Sequence, residues 1–127
     1  MKKIYRLNFK IKVKGEYNFL FWKTIKQGIY KEISCYKISE DIIEERERMK
    51  KNLLSLYNFL LKEEERVEIF DDEDLFTIKV KPTSLNVYDF AEEVSFKEAI
   101  ENLSSNEIIE FIKGIKGGNE NECTRNV

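Results

Sequence analysis

The segment from Ser39 to Glu65 constrains the fold more than any other part of the chain. It contains no Pro or Gly, and Ser39 followed by Glu40 and Asp41 is typical of a helix start. The sequence predicts a helix of about 25 residues, roughly 38 Å long. Seven of the nine residues from 53 to 61 are apolar, and on a helix they span roughly 220° of the circumference. One face of a sheet cannot cover such an arc, so either the C-terminal helices or a partner chain must supply a second cover.

The N-terminal segment predicts a β-hairpin. Apolar and polar residues alternate from residue 5 to residue 13, which is the period-2 pattern of a strand with one buried face. Gly15 and Glu16 then favour a two-residue turn, and a second strand is predicted over residues 17–26. Counting pairs from this turn predicts the core face, which consists of Val13, Ile11, Phe9 and Leu7 opposite Asn18, Leu20, Trp22 and Thr24, respectively.

Glycine and proline break the rest of the chain into further short strands. Gln27 and Gly28 favour a turn, and Pro82 is predicted to end a strand because it cannot donate to the ladder. The remaining strands are predicted at residues 29–36, 67–70, 75–81 and, as an edge strand or an extended crossing, 85–90.

Two capping patterns predict short helices near the C-terminal end. Ser95 and Ser104 are each followed three positions later by a glutamate, which is the arrangement in which serine and glutamate cap a helix start reciprocally. The predicted helices cover about residues 96–103 and about residues 106–113, and Gly114 is predicted to close the second.

The predicted fold class is therefore α+β. An antiparallel sheet of five or six strands has the long helix packed on one face, and the two short C-terminal helices complete the cover. Residues 1–116 are predicted to form a single domain, and residues 117–127 a flexible polar C-terminal tail. The order of the strands does not follow from the sequence.

The residue inventory argues against an enzyme. The chain contains no histidine, which removes the commonest general base and every histidine metal site. Cys35 and Cys123 have no zinc-motif spacing and are expected to be reduced thiols. The acidic run over residues 71–74 lacks the central glycine of a calcium loop and is expected to be a solvated turn. We therefore expect no catalytic residue, no metal and no cofactor.

No part of the sequence predicts a membrane segment. No apolar run approaches about 18 residues, and the alternation that follows Met1 is unlike a signal peptide. Together with reduced thiols, these features predict a cytoplasmic protein without a membrane partner. Lys, Ile, Asn, Phe and Tyr are abundant while Ala91 and Ala99 are the only alanines, a composition that suggests an AT-rich genome or one of its mobile elements.

Excess apolar surface and separated charge predict a non-enzymatic protein-binding module. Residues 1–37 carry ten Lys and Arg against two Glu, whereas the remainder carries twelve against twenty-two acidic residues. Separated charges orient a partner, and large aromatic side chains dominate protein interfaces. The interface residues predicted on this basis are Trp22, Tyr57, Phe59 and Leu61. A protein partner or a second copy of the chain fits this description, as in a small inhibitor or adaptor from a mobile genetic element or a small subunit of a complex.

The alternative function is the binding of single-stranded RNA or DNA on the predicted hairpin. The face opposite its predicted core would place lysines beside aromatic side chains, which bind single strands through phosphate contacts and base stacking. The residues concerned are Lys10, Lys12, Lys14, Tyr17, Phe19 and Phe21. This hypothesis requires Phe19 or Phe21 to be exposed beside Lys10 and Lys12.

Overall fold

The computed structural model describes residues 2–118, except for the side chains of residues 115–118. The strands are β1 (Lys3–Phe19), β2 (Trp22–Ser39), β3 (Val67–Asp71) and β4 (Thr77–Glu93). The α-helices are α1 (Ile42–Tyr57), α2 (Phe96–Ala99) and α3 (Ser105–Gly118), and 3₁₀ turns follow α1 at Asn58–Lys62 and α2 at Ile100–Asn102. The α+β class with an antiparallel sheet is confirmed, but the sheet has four strands instead of five or six. None of these helices is long and apolar enough to cross a membrane.

The strand count was wrong because the predicted breaks lie inside strands. β1 runs through Gly15, and β2 runs through Gly28. A Cβ atom on Gly15 would overlap the carbonyl oxygen of Lys81, and one on Gly28 would overlap that of Phe70. Neither glycine has a positive φ. Both are therefore required for the close approach of neighbouring strands, and neither forms the predicted turn.

Pro82 also lies within a strand and does not end it. It is buried in β4, and the inward-facing positions of β4 have even numbers before it and odd numbers after it: Ile78 and Val80, then Leu85 and Val87. A shift of this kind is typical of a β-bulge, where an extra residue interrupts the ladder and a missing N–H donor is tolerated.

Packing divides the described chain into two compact units. The first consists of Asn8–Ile33 and Arg46–Phe90, and we call it the barrel unit. The second consists of residues 2–7, 34–45 and 91–118, and we call it the helical unit. β1, β2, β4 and α1 each contribute residues to both.

In the barrel unit the four strands close in the order β1, β2, β3, β4. β3 pairs antiparallel with β2, through Gly28 opposite Asp71, and with β4, through Ile69 opposite Ile78. The core of this unit, called the barrel core below, consists of Val13, Leu60, Ile69, Ile78 and Val80. The predicted inward face of β1 is confirmed, since Leu7, Phe9, Ile11 and Val13 are fully buried. The prediction was wrong for the residues placed opposite them, because all four are exposed: Asn18, Leu20, Trp22 and Thr24.

α1 is shorter than predicted at both ends. Ser39 Oγ accepts from the backbone N–H of Asp41, and Asp41 Oδ1 in turn accepts from the N–H of Glu44, so Asp41 caps the helix. At the other end the chain tightens into the 3₁₀ turn after Tyr57. The change in twist directs Leu60 into the barrel core. Leu56, Phe59 and Leu61 stay exposed, so no described part of the chain fully covers the predicted apolar arc.

The helical unit confirms both predicted helix starts. Ser95 Oγ accepts from the N–H of Glu98 at 3.1 Å. Ser104 Oγ accepts from the N–H of Glu107 at 3.2 Å, while Glu107 Oε1 accepts from the N–H of Ser104 at 2.9 Å, which completes a reciprocal capping box. Gly114 does not close α3, which continues to Gly118. Residues 119–127, most of the predicted tail, lie outside the described residues, as does Cys123.

Candidate protein-binding site

Four consecutive large apolar residues form the tip of the β1–β2 hairpin. Leu20 and Phe21 make the two-residue turn, and Phe19 and Trp22 flank it as the last residue of β1 and the first of β2. Their exposed fractions are 57% for Phe19, 78% for Leu20, 98% for Phe21 and 72% for Trp22. Contiguous exposed apolar surface on a small domain is typical of an interaction site. We call these four residues the apolar tip.

The backbone of the apolar tip does not require these residue types. Leu20 has a φ of 56°, in the left-handed region that glycine and asparagine adopt more readily. A two-residue hairpin turn with a positive φ at its first position favours glycine there for this reason. A leucine there costs about 1 kcal/mol of backbone strain, and its exposed side chain recovers none of that cost by packing. The residue types of this turn therefore do not stabilise the hairpin, but they do expose large apolar side chains to solvent.

The base of the apolar tip is held in place. Arg66 Nη1 donates to the backbone carbonyl of Glu16 at 2.7 Å, and Lys23 Nζ lies 3.6 Å from a carboxylate oxygen of Glu16. Tyr17, two residues before the tip, packs against the barrel core. An anchored base limits the conformational entropy that the tip would lose on binding.

The predicted interface residues fall into two groups. Trp22 belongs to the apolar tip, whereas Tyr57, Phe59 and Leu61 lie at the end of α1 and in the 3₁₀ turn. Tyr57 is half-buried, with its ring edge-to-face against Tyr30 at 6.2 Å between centroids. The ring of Phe59 lies 6.1 Å from that of Tyr57. Phe59 and Leu61 are exposed, as is Leu56 in the last turn of α1, and we call these three residues the second apolar patch.

The predicted nucleic-acid residues do not share one face. Because β1 is continuous through Gly15, Lys10, Lys12 and Lys14 alternate with its inward residues, while Tyr17 packs inward against the barrel core. Phe19 lies seven residues beyond Lys12, or about 23 Å along the strand. Phe19 and Phe21 are exposed but lie in the apolar tip instead of beside the lysines. The aromatic partner of Lys12 is Tyr88 of β4, whose ring centroid lies 4.7 Å from Nζ.

Tyr88 and Phe90 were not among the residues predicted from the sequence. Both are exposed and follow Asn86 at every second position of β4. The alternation is visible in the sequence, but with Pro82 predicted to end a strand, residues 85–90 were predicted only as an edge strand or an extended crossing, and no partner could be assigned to them.

The acidic turn between β3 and β4 is partly structural. Asp71 is fully buried, and its Oδ1 accepts from the N–H of Glu73 at 2.8 Å and of Asp74 at 3.3 Å. Its Oδ2 lies 3.4 Å from Nζ of Lys26, which also contacts Asp74 at 2.8 Å. Burial alone would raise the pKa of Asp71, but these backbone donors and the ammonium outweigh burial and hold the pKa below its ordinary value. The expectation of a wholly solvated turn was therefore wrong for Asp71.

The described residues offer little for metal or thiol chemistry. Within residues 2–118 no group of three or more Cys, Asp and Glu side chains is placed to hold a metal ion. Cys35 is half-buried in the helical unit, and burial raises the pKa of its thiol, with Lys37 lowering it and Glu107 raising it further. A raised pKa disfavours the reactive thiolate.

Comparisons of the chain with protein-family models, with curated proteins and with solved structures found no match.

Proposed function

We propose that the chain is a non-enzymatic protein-binding module whose apolar tip inserts into a hydrophobic pocket of a partner protein. The observation that carries this proposal is the exposure of Phe19, Leu20, Phe21 and Trp22 at an anchored turn. Phenylalanine and tryptophan bury large areas with few rotatable bonds, which is why aromatic residues recur among the dominant contacts of interfaces. A small inhibitor, an adaptor or a subunit of a larger complex would act in this way.

The second apolar patch supports the same proposal. Leu56, Phe59 and Leu61 belong to the barrel unit, as the apolar tip does, and stay exposed. A partner large enough to reach both surfaces would bury them together, and the charged residues around them would set its orientation. We expect the apolar tip to dominate the affinity, because its side chains are the more exposed and lose the most contact with water on binding.

A photo-crosslinking experiment tests this proposal at single residues. A benzophenone amino acid replaces Phe21 in the full chain, which is then expressed in its source cells or mixed with their extract. We expect one discrete, saturable adduct with a partner protein, and an excess of the chain without benzophenone should prevent its formation. A competitor with Phe21→Ser and Trp22→Ser should displace it at least about 30-fold less well, because the loss of even one dominant aromatic contact costs about 2 kcal/mol or more. Mass spectrometry identifies the partner.

Leu75 provides the matched control. It lies in the β3–β4 turn with a φ of 57° and is 70% exposed, so it resembles Leu20 in backbone and exposure, but it directly follows the acidic run over residues 72–74 and has one exposed ring, Phe76, next to it. The benzophenone at position 75 should give no saturable adduct. Equal adducts from positions 21 and 75, or none from position 21, would refute the proposal. An adduct with a second copy, accompanied by a dimer in light scattering, would identify the partner as the chain itself.

A further inference from the structure

The outward face of β1 and β4 in the barrel unit combines lysines, amides and exposed rings. Lys10, Lys12 and Lys14 alternate along β1, and Tyr88 and Phe90 alternate along β4, with exposed fractions of 46% and 60% for the two rings. Lys12 Nζ lies 4.7 Å from the centroid of the Tyr88 ring, which brings the two rows into contact. We call this surface the lysine–tyrosine groove.

Three shallow cavities meet at Tyr88. One of about 150 Å³ is lined by Lys12, Lys14, Gln27, Ser84, Asn86 and Tyr88. A second of about 220 Å³ is lined by Asn8, Lys10, Lys12, Tyr88, Asp89 and Phe90, and a third of about 340 Å³ by Lys50, Asn86, Val87, Tyr88 and Asp89. The cavities thus combine ring faces with cations, amide groups and a hydroxyl, which are the groups that hold bases and phosphates.

Charge favours an anionic ligand, because this face carries more cations than carboxylates. Asp89 is held by Arg46 Nε at 2.7 Å and by Lys50 Nζ at 3.6 Å. Glu32 lies 3.6 Å from Lys10, and Asp72 lies 3.1 Å from Lys12. The cations of this face are Lys10, Lys12, Lys14, Arg46 and Lys50, against the three carboxylates Glu32, Asp72 and Asp89. Lys14 is exposed and is positioned to contact a phosphate directly.

We propose that the lysine–tyrosine groove binds single-stranded nucleic acid, with bases stacked on Tyr88 and Phe90 and phosphates contacted by the lysines of β1. Neighbouring rings on one strand face lie about 7 Å apart, which allows successive bases to stack. Every base has a π-face, so stacking of this kind is tolerant of sequence. An acidic protein segment would use the same cations but would not need the rings. The site is distinct from the apolar tip, and the two proposals can fail separately.

Fluorescence anisotropy of a labelled oligodeoxythymidylate of about 12 nucleotides tests the site. We expect binding at about 50 mM salt that weakens steeply at about 200 mM. Tyr88→Ala and Phe90→Ala should each weaken binding about 5- to 150-fold, the usual effect of losing a stacking ring. Lys14→Ala should lower the slope of log affinity against log salt by about 0.7, the value for one phosphate on a single strand. Tyr88→Phe should retain most of the affinity because it keeps the ring.

Two controls make the outcome decisive. Phe21→Ala removes an exposed ring in the apolar tip, about 23 Å or more from Lys12 along the strand, and should leave oligonucleotide binding unchanged. Polyglutamate of similar length should bind at least 10-fold more weakly than the oligonucleotide. Absence of binding at low salt, equal loss in Phe21→Ala and Tyr88→Ala, or equal affinity for polyglutamate would each overturn the proposal. Circular dichroism confirms that every variant is folded before it is titrated.

Discussion

Gly28→Ala is expected to lower the free energy of unfolding by about 3 kcal/mol or more, the range reached when a packed interior is overfilled by an atom that cannot be moved aside. The added Cβ would overlap the backbone carbonyl of Phe70, where β2 faces β3 in the closed sheet. A side chain could rotate away, but a carbonyl oxygen in a ladder cannot move without breaking the pairing of Gly28 with Asp71. Urea unfolding followed by far-ultraviolet circular dichroism measures the change.

Gly114→Ala is the matched comparison for Gly28→Ala. Gly114 lies in α3, and a Cβ there would meet no atom within 4 Å. Because alanine is the better helix former, this substitution should raise stability by up to about 1 kcal/mol. If both substitutions change the urea midpoint by similar amounts in the same direction, the close approach at Gly28 is not what holds the sheet closed.

Asp71→Ala is expected to lower the free energy of unfolding by about 3 kcal/mol, because it removes a buried, charged hydrogen-bond acceptor. The substitution leaves the N–H groups of Glu73 and Asp74 without their acceptor and Lys26 without one of its two carboxylates. Asp71→Asn keeps an acceptor for the two N–H groups and should therefore cost less than the alanine substitution. Glu73→Ala removes an exposed carboxylate from the same turn and should change stability by less than about 0.5 kcal/mol.

The pH dependence of stability gives a second measurement of how much the Asp71 carboxylate contributes to the free energy of unfolding. Its pKa in the folded protein lies below the ordinary value of 3.8. A carboxyl group whose pKa is lowered by folding contributes its full stability at pH values above its pKa in the unfolded chain. This contribution disappears as the pH falls through its pKa in the folded protein. The wild type should therefore lose more stability than Asp71→Asn when the pH is lowered from about 5 to about 2. Parallel loss of stability in the two proteins across this range would contradict the assigned role of Asp71.

The sequence predicted the elements that depend on local chemistry. Serine and glutamate at Ser104 and Glu107 cap a helix through bonds between near neighbours, so three residues of context are enough. The inward face of β1 follows from alternation alone. The strand ends were predicted wrongly, because glycine occurs both in turns and where two strands approach closely, and the local sequence does not distinguish these two cases. Only the positions of Lys81 and Phe70, far along the chain, decide between the two at Gly15 and Gly28.

For the candidate sites, too, local features could be predicted from the sequence, whereas features that depend on distant residues could not. The apolar arc over residues 53–61 was predicted to need a second cover, and Phe59 and Leu61 within it are exposed. Trp22, which the predicted register placed on the core face opposite Phe9, is exposed as well. Their arrangement was not predictable, because the misplaced turn at Gly15 assigned Tyr17 and the lysines to one face. Moving the turn from residue 15 to residue 20 reverses which side chains accompany Lys12, since strand faces alternate at every residue. Tyr88 replaces Phe19 as its aromatic neighbour for this reason.

The half-buried thiol of Cys35 provides a reporter of local opening. Burial raises its pKa, so at neutral pH it is almost entirely protonated and reacts slowly with alkylating reagents while the surrounding structure is intact. When Cys123 is replaced by serine, alkylation reports on Cys35 alone. A rise in the labelling rate then marks greater exposure of this part of β2, measured without denaturant in an almost unaltered chain.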